Sequence, residues 1–440
     1  MTNNIEELSG GRIINTSLLS NQQISQLKKR GAQVVPASQT KAGKTVCRRC
    51  LSEIKTDLFV DQKVYCRNCL NFGKLLTDDK LVITASDLTF PIQTDPMSWT
   101  GELTNLQQKV SLELLTAYAN KSDHLIWAVT GAGKTEIIFP LIKEVIQAGK
   151  RIAICSPRID VCLELYPRIQ VAFSRTSIGL FHGKTDQQYF PCQIMVATVH
   201  QLVRFESAFD VLVIDEVDSF PLAGDEMLER AIAKANKKSG SIAYLSATPP
   251  VELLHRVNRG EISISKLHRR FHGHPLPEPH CHLLFKASDF WKINPRLKHR
   301  ISNIVKNHQR AMIFFPRISA LLKFEQKLKR AFPKVSIVSV SSKDIQRIEK
   351  VQQFRDEQAS VILTTTILER GVTFHKITVI VIDADAREFS KTALIQIAGR
   401  AGRAKDHPND EVHFYYQYYT RSVQQACREI KEINRQAFTK

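Results

Sequence analysis

The sequence predicts an α/β protein in which two units with parallel sheets follow a small cysteine-rich segment. From residue 99 onward, short apolar and β-branched runs alternate with longer helical stretches. Strands of a parallel sheet are buried on both faces, so they appear as continuous apolar runs such as LIWAV, QIMVAT and SVILTT. The segment KLHRRFHGHPLPEP at residues 266–279 interrupts this alternation and indicates a linker between the two units.

The 440 residues can accordingly be divided into five parts. We expect a loosely held polar arm at 1–40, a four-cysteine segment at 41–80, the first α/β unit at 81–265, the linker at 266–280 and the second α/β unit at 281–440. Domains usually comprise about 100–200 residues, which agrees with two units of this size. Their similar size suggests a duplicated fold.

The composition is that of a globular protein with a large excess of positive charge. Hydrophobic residues make up 43% and charged residues 24%, which excludes a fibrous or globally disordered chain. The formal net charge is +19, and a protein this basic attracts a polyanion. Charge alone leaves two kinds of partner open, nucleic acid and the surface of an anionic membrane.

The sequence shows neither a membrane-spanning run nor a secretory signal. No stretch reaches about 18 consecutive apolar residues, and the start, MTNNIEELSGGRII, lacks a basic region followed by an apolar one. We therefore expect a cytoplasmic protein, with peripheral association at the inner face of the membrane left open. Structural disulfides are rare in the cytoplasm, so the nine cysteines need another explanation. Five lie apart beside apolar or aromatic residues and are expected to be small buried residues, namely Cys155, Cys162, Cys192, Cys281 and Cys427.

The other four cysteines have the spacing of a structural zinc site. Two residues separate Cys47 from Cys50 and Cys66 from Cys69, and fifteen residues lie between the pairs. Such pairs place four thiolates about 2.3 Å from one Zn²⁺ and leave no open position for catalysis. Two disulfides or a redox pair are the alternatives, both disfavoured in the cytoplasm. The basic residues near the cysteines suggest either a surface that faces phosphate or ordinary solvent-exposed charges. These residues are Arg48, Arg49, Lys63, Arg67 and Lys74.

A phosphate-binding loop follows the strand-like run LIWAV. The sequence TGAGKTE at residues 130–136 forms this loop, and a helical run begins at Ile137. Backbone N–H groups of such a loop hold phosphates, Lys134 reaches the β and γ oxygens, and the Thr135 hydroxyl binds Mg²⁺. Ala128 stands where the general pattern has its first glycine. The candidate nucleotide-binding residues are Thr130, Gly131, Ala132, Gly133, Lys134, Thr135 and Glu136.

An acidic run, DEVD, ends the later apolar strand DVLVID. Asp215 at the strand end can hold Mg²⁺, and its neighbour Glu216 can orient and deprotonate the attacking water. Acidic residues after a strand also occur in solvated turns, but the upstream loop favours the catalytic interpretation. The predicted reaction is hydrolysis of ATP or another NTP by in-line attack of water, with Mg²⁺ neutralising the developing charge.

Residues 99–403 resemble the core of a superfamily-two helicase, with its motifs in the usual order. The similar segments of the first unit are Leu103-Thr104 with Gln107, which resembles the adenine-recognition motif, then SPR at 156–158, AT at 197–198 and SAT at 246–248. Those of the second unit are IFFP at 313–316, TTTILERGVTF at 364–374 and QIAGRAGR at 396–403. A single short match is uninformative, whereas the ordered set is specific.

The resemblance implies two RecA-like lobes with ATP between them and DNA moved by their opening and closing. Arg400 and Arg403 would reach the γ-phosphate, and their spacing predicts that they share a helix face. The residues expected on the nucleic-acid backbone are Arg158, Thr198 and Thr365. The alternatives are a solvated surface charge for the arginines and ordinary strand-end residues for the threonines.

The whole chain from Cys47 onward resembles the ComFA family, the competence ATPases of Gram-positive bacteria. The resemblance is carried by the cysteines ahead of a compact two-lobe core and by SPRIDV, DEVDSFP, LSATPP and RFHGHPLPEP. It implies an ATP-dependent motor on single-stranded DNA that assists uptake of transforming DNA, beside a ComFC partner and the ComEC channel.

Two other functions stay open. A PriA-like replication-restart helicase shares the core motifs, but it normally carries its cysteines inside the second lobe and has a separate N-terminal DNA-binding domain. A non-motor adaptor would use the core as a nucleotide-gated binding module, and the retained set of Lys134, Asp215, Glu216 and Arg403 argues against it.

Overall fold

The computed structural model describes residues 5–55, 59–60, 63–183, 188–284, 294–307, 309–372 and 374–438. The chain forms two compact units. The first comprises Met1–Trp127 and Lys134–Lys266, and the second comprises Ala128–Gly133 and Leu267–Lys440. Within the described ranges, no helix combines the length and apolar character that a membrane span needs.

The N-terminal part of the first unit is folded, so the expectation of a loosely held arm is wrong for its described residues. The elements are β1 Ile13–Asn15, α1 Asn21–Lys29, β2 Gln33–Pro36, β3 Ser38–Lys41, β4 Lys44–Cys47, β5 Phe59–Val60, β6 Lys63–Val64 and β7 Lys80–Ile83. β7 lies between β1 and β2 in an antiparallel sheet. Ile14 and Val34 both pair with the fully buried Val82. Short apolar clusters in a polar stretch thus obtain their core from residues far along the chain.

Two glycines attach this N-terminal part to the sheet that follows it. The carbonyl of Gly10 accepts a hydrogen bond from the guanidinium of Arg151 at 3.0 Å, and that of Gly11 accepts one from the Glu206 N–H at 2.8 Å. Gly11 has a φ of +73°, and a Cβ there would lie 2.6 Å from the Glu206 carbonyl oxygen. Only glycine permits so close a backbone approach.

The rest of the first unit is a seven-stranded sheet with helices. Its elements are α2 Asn105–Ala119, β8 Asp123–Ala128, α3 Lys134–Ile137, α4 Phe139–Gln147, β9 Ile152–Ser156, α5 Ile159–Ala172, β10 Ile178–Phe181, β11 Ile194–Thr198, β12 Phe209–Asp215, α6 Glu226–Ala235, β13 Asn236–Ser246, α7 Val251–Asn258 and β14 Ile262–Leu267. The strand order is β10-β11-β9-β12-β13-β8-β14. The pairings from β10 to β8 are parallel, and β9 and β11 are buried throughout, as their apolar runs predict.

The second unit is a six-stranded parallel sheet with helices. Its elements are β15 His280–Leu283, α8 Pro295–Lys306, β16 Arg310–Phe314, α9 Ile318–Ala331, β17 Ile337–Val340, α10 Arg347–Arg355, β18 Val361–Thr364, β19 Ile377–Val381, α11 Lys391–Ala398, β20 Val412–Tyr416 and α12 Arg421–Phe438. The strand order is β15-β20-β19-β16-β18-β17, with every neighbouring pair parallel. The predicted fold class, two parallel-sheet α/β lobes, is confirmed. Within each sheet the carboxyl ends of the parallel strands share one edge, where ligands of such sheets bind.

Candidate functional site

The predicted phosphate-binding loop leaves β8 and leads into α3. Gly131 and Gly133 have φ angles of +79° and +75°, which residues with side chains rarely adopt. The Ala132 N–H donates to the Val129 carbonyl at 3.2 Å and closes the turn. Lys134 is the first residue of α3. The glycines therefore supply the sharp turns that a loop wrapped around phosphates requires.

The buried polar groups of this loop fit a bound nucleotide. Thr135 in the first turn of α3 is buried. Thr130 is also buried, and its Oγ1 has no hydrogen-bond partner within the described part of the structure. Buried hydroxyls are normally satisfied, and a phosphate oxygen is an acceptor of the kind that Thr130 lacks. Glu136 instead forms an ion pair with Arg168.

The predicted acidic pair lies at the carboxyl end of β12. Asp215 is the last residue of that strand, and its Oδ1 accepts a hydrogen bond from the Glu216 N–H at 2.9 Å. Glu216 has a φ of +54°. Holding a residue other than glycine in this region costs about 1–3 kcal/mol, and such strain concentrates at functional sites. The backbone thus gives Glu216 a direction that an ordinary strand continuation would not.

Asp218 joins the acidic run to the SAT segment, a role that the sequence did not reveal. Its Oδ1 accepts from the Ser246 hydroxyl at 2.7 Å and its Oδ2 from the Thr248 hydroxyl at 2.5 Å. Ser246 Oγ also accepts from the Thr248 N–H at 2.9 Å. Because β12 and β13 are parallel neighbours, their carboxyl ends lie side by side. The carboxylate therefore couples two motifs that are about thirty residues apart in the sequence.

Two predicted DNA contacts lie at the carboxyl ends of strands in the seven-stranded sheet, the edge that also carries the acidic run. Thr198 ends β11 and pairs with Ser156 at the end of β9. Arg158 is half-buried at the N-terminal cap of α5, and its N–H donates to Ser156 Oγ at 3.4 Å. Thr198 is buried. The structure thus brings the two positions together, and contact with DNA stays a prediction for both.

Gln107, the predicted adenine-binding residue, is buried at the start of α2. Its Oε1 accepts hydrogen bonds from the N–H and the hydroxyl of Thr104 at 2.9 and 3.0 Å. The Gln107 N–H donates back to Thr104 Oγ1 at 3.4 Å, which completes a capping box. The side chain therefore caps the helix, and adenine recognition stays a prediction.

The helix-face prediction for Arg400 and Arg403 is wrong, because α11 ends at Ala398 and both arginines follow it. Arg400 is buried and donates to the carbonyls of Glu369, at 2.9 Å, and Val372. Arg403 is half-buried and donates to the Gly399 carbonyl at 3.1 Å. Arg400 therefore joins the QIAGRAGR segment to the TTTILERGVTF segment. A role of either arginine toward ATP stays a prediction.

The third predicted DNA contact, Thr365, belongs to the second unit. It follows β18 directly, is half-buried, and stands at the cap of a short 3-10 turn without a side-chain capping bond. Its carbonyl accepts from the Thr364 hydroxyl at 3.1 Å. Residue 373 of this motif lies outside the described residues.

Arg270, in the segment between β14 and β15, is a second residue that the motifs did not indicate. Its guanidinium donates to the carbonyls of Gly399, Ala401 and Gly402 at 3.0, 2.9 and 2.5 Å. Burial lowers its pKa to about 9. These three bonds offset part of the cost of burying the charge, while the Arg270 Nε has no hydrogen-bond partner among the described residues. Arg270 therefore holds the turn that carries Arg403.

The four spaced cysteines form one buried cluster. Each Sγ atom lies within 4.8 Å of the other three, with Cys47 and Cys69 at 3.7 Å and Cys50 and Cys66 at 3.5 Å. Ligands at the corners of a tetrahedron about 2.3 Å from its centre are about 3.8 Å apart. The cluster therefore has the size and the donor set of a four-thiolate zinc site.

The cysteine cluster is packed into the first unit. Arg49 is buried and donates to Cys69 Sγ at 3.3 Å and to the Phe72 carbonyl at 3.3 Å. The ammonium of Lys234 on α6 donates to the Arg49 carbonyl. The four cysteines and Phe72 share an apolar core with residues of β9, β11 and β12. The segment is therefore part of the core of this unit, and Arg49 supports the thiolates rather than facing phosphate.

The expectation that the other five cysteines are small buried residues is wrong for Cys281 alone, since Cys427 is buried. Cys155, Cys162 and Cys192 are buried in the first unit. Cys281 on β15 is exposed, and its Sγ lies 3.6 Å from that of Cys427 on α12. The two are 146 residues apart, so no local pattern indicates their contact.

Two domain models match this chain, and several solved structures share its fold. Residues 100–251 match the model for the res subunit of type III restriction enzymes, and residues 296–405 match that for the helicase conserved C-terminal domain. Yeast Dbp5 bound to RNA and ADP BeF3 aligns with a TM-score of 0.57 at 16% identity, covering 76% of this chain and 88% of that one. RecG bound to a three-way DNA junction aligns with a TM-score of 0.53 at 16% identity, and the alignment covers 76% of this chain and 45% of that one. The chain is a superfamily-two helicase-type ATPase.

Similarity to curated proteins identifies the family within this class of ATPases. The competence protein ComFA of Streptococcus pneumoniae is 39% identical over 96% of this chain and 97% of its own length. The ComFA of Bacillus subtilis is 39% identical over 84% of this chain and 81% of its own length. The replication restart protein PriA of Haemophilus influenzae is 23% identical over 71% of this chain and 57% of its own. The chain belongs to the ComFA family of competence proteins and is a competence-associated, helicase-like ATPase.

Proposed function

We propose that the protein is an ATP-driven motor that moves along single-stranded DNA and assists the uptake of transforming DNA. The observation that carries the proposal lies at the carboxyl ends of β12 and β13. There the Asp218 carboxylate connects the DEVD run to the SAT segment through two hydrogen bonds. A chain that only bound nucleotide would not need this link between the hydrolytic carboxylates and the motif associated with DNA movement.

The roles proposed for hydrolysis follow from the positions of the residues. Lys134 binds the β and γ phosphate oxygens, and the backbone of residues 130–133 surrounds them. Glu216 orients the attacking water and accepts its proton at the carboxylate. Thr135 and Asp215 would hold Mg²⁺, which would neutralise charge at the phosphates. We further propose that Gln107 contacts the adenine and that Glu136 contributes to nucleotide binding. Arg403 would reach the γ-phosphate, and Arg400 would support the segment that carries Arg403.

Contact with DNA is proposed at the strand ends of both sheets. Arg158 and Thr198 would serve in the first unit and Thr365 in the second. The net charge of +19 supports a polyanionic partner. By the family resemblance, we place this activity in the cytoplasm at the inner face of the membrane, beside ComFC and the ComEC channel.

A structural Zn²⁺ is proposed for Cys47, Cys50, Cys66 and Cys69. The sulfur separations of 3.5 and 3.7 Å support one ion with four thiolates. The ion would hold together a segment whose strands are only two to four residues long.

The test is ATP hydrolysis by the purified protein with and without single-stranded DNA. We expect stimulation by DNA. We also expect loss of hydrolysis in Lys134→Ala without loss of fold, because Lys134, at the start of α3, is half-buried and lies outside the apolar core. Lys109→Ala, at an exposed position on α2, is the matched control and should hydrolyse ATP normally. Near-normal turnover in Lys134→Ala would contradict the proposed role of the loop.

A deletion strain separates competence from replication restart. We expect it to lose transformability while growth after replication stress stays normal. Normal transformability together with a defect in restart would instead favour the PriA-like alternative.

A further inference from the structure

The strongest unassigned feature of the second unit is a group of tyrosines directly after β20. Tyr418 is 73% exposed and Tyr419 is 53% exposed. The ring of Tyr419 lies 5.5 Å from that of the half-buried Tyr416, at an interplanar angle of 42°. Single exposed apolar residues are common on protein surfaces, but adjacent exposed rings supported by a third are characteristic of binding surfaces.

The backbone holds these rings in place before any partner binds. The N–H groups of Gln417 and Tyr418 donate to the Asp385 carboxylate at 3.3 and 3.1 Å. The Thr420 N–H donates to the Tyr418 carbonyl at 2.9 Å, and α12 begins at the next residue. A tyrosine has few rotatable bonds, so a fixed backbone leaves little freedom for binding to remove.

The tyrosines lie at the edge of the sheet where the second unit is expected to contact DNA. β20 and β18 are parallel strands of one sheet, separated by β19 and β16. Thr365 follows β18, and Tyr418 follows β20. At about 4.8 Å per strand, three steps place the two positions about 14 Å apart along the edge.

The charges around the tyrosines suit a nucleic acid. Arg387 and Arg421 are exposed, and they lie two residues after Asp385 and three after Tyr418. Neither forms an ion pair with another described residue. The Asp385 carboxylate already accepts two backbone N–H groups. Exposed aromatic rings together with exposed arginines are the combination by which proteins hold single strands, the bases stacking on the rings and the phosphates pairing with the cations.

We propose that Tyr418 and Tyr419 form a base-stacking platform for single-stranded DNA. The inference rests on the proposed DNA motor and adds base contacts to the backbone contacts assigned above. Stacking is tolerant of sequence because every base has a flat face. The platform therefore gives the second unit a grip on unpaired strands that a duplex, with its bases already stacked, would not receive.

The test compares binding of two labelled single strands of about 20 nucleotides, one of thymidines and one of abasic sites. The abasic strand keeps the phosphates and has no bases to stack. In fluorescence anisotropy, we expect the wild-type protein to bind the thymidine strand more tightly. In the double variant Tyr418→Ala with Tyr419→Ala, affinity for thymidines should fall about fivefold or more and affinity for the abasic strand should change little.

Three variants and a stability measurement make the result decisive. Tyr418→Phe and Tyr419→Phe keep the rings and should bind as wild type. Leu322→Ala, at an exposed apolar position on α9, should also bind as wild type. Thermal unfolding of the double variant should match wild type, since both rings are exposed.

The outcomes separate this inference from the proposed function. Failure of the wild-type protein to bind either strand would overturn both. Wild-type binding with no effect of the double variant would overturn the platform alone, as would equal weakening of both strands or a defect in the Phe variants.

Discussion

At the residue scale, Asp218 gives the clearest link between the DEVD strand end and the SAT segment. Its two oxygens each accept one hydroxyl of the SAT segment, so a carboxylate fits where an amide does not. In Asp218→Asn the new N–H₂ group cannot accept from the Thr248 hydroxyl. A hydrogen bond to a charged group contributes about 1.5–3 kcal/mol.

We therefore expect Asp218→Asn to lower the ratio of DNA-stimulated to basal ATPase activity by about tenfold. Steady-state hydrolysis with and without single strands measures this ratio. Thr248→Ser keeps the hydroxyl and should preserve it. An unchanged ratio in Asp218→Asn would show that the link does not carry the coupling.

The motifs predicted the residue types at the site better than their contacts. Lys134 and Asp215 stand where the loop and strand patterns predict, because chain neighbours determine those features. The pairing of Asp218 with Ser246 depends on the register of β12 against β13, which no local pattern contains. Burial of Arg400 under the Glu369 carbonyl likewise arises from packing.

At the element scale, the cysteine segment belongs to the core of the first unit. The ammonium of Lys234 contacts the Arg49 carbonyl, and the four cysteines share an apolar core with strands of the seven-stranded sheet. Unfolding this segment would expose part of that core.

Cys47→Ser should release the metal and lower the midpoint of thermal unfolding by about 5 °C or more. Elemental analysis gives the zinc content per chain, and calorimetry gives the midpoint. Cys192→Ala, at a buried cysteine outside the cluster, should retain about one zinc per chain. Wild-type protein without zinc, when purified without chelator, would refute the metal assignment.

The turn after α11 is the second element with a clear prediction. Arg270→Ala removes one donor from each of three carbonyls, of which Gly399 keeps Arg403 and Gly402 keeps the His272 ring. The Ala401 carbonyl loses its donor, so we expect destabilisation of about 1–3 kcal/mol. Arg270→Lys should rescue little, because an ammonium lacks the planar fork. Chemical denaturation measures both, with Arg330→Ala, at an exposed position on α9, as the control. Wild-type stability in Arg270→Ala would contradict the supporting role of this residue.

At the scale of the whole molecule, two parallel sheets and a basic charge balance followed directly from the sequence. Apolar runs alternating with helical stretches specify buried strands wherever they occur. The N-terminal sheet was not predictable, since Ile14 and Val34 are brief apolar clusters that gain a core only against Val82. Likewise, Cys281 and Cys427 meet through the fold alone.

The net charge predicts how DNA binding depends on salt. Cationic contacts with phosphates release bound counterions, so affinity for single strands should fall about tenfold or more between about 50 and about 200 mM salt. Anisotropy titrations at several salt concentrations measure the slope. Affinity independent of salt would contradict a phosphate-based grip.

The central claim, that ATP hydrolysis moves this protein along single-stranded DNA, is tested most directly by displacement of streptavidin from a biotin-ended single strand. A translocating protein removes the block only when ATP is hydrolysed. We predict ATP-dependent displacement from at least one end of the strand, and none in Glu216→Gln, which keeps the shape of the side chain but cannot accept the proton of water. DNA-stimulated hydrolysis without displacement from either end would contradict the motor and leave a nucleotide-gated adaptor in its place.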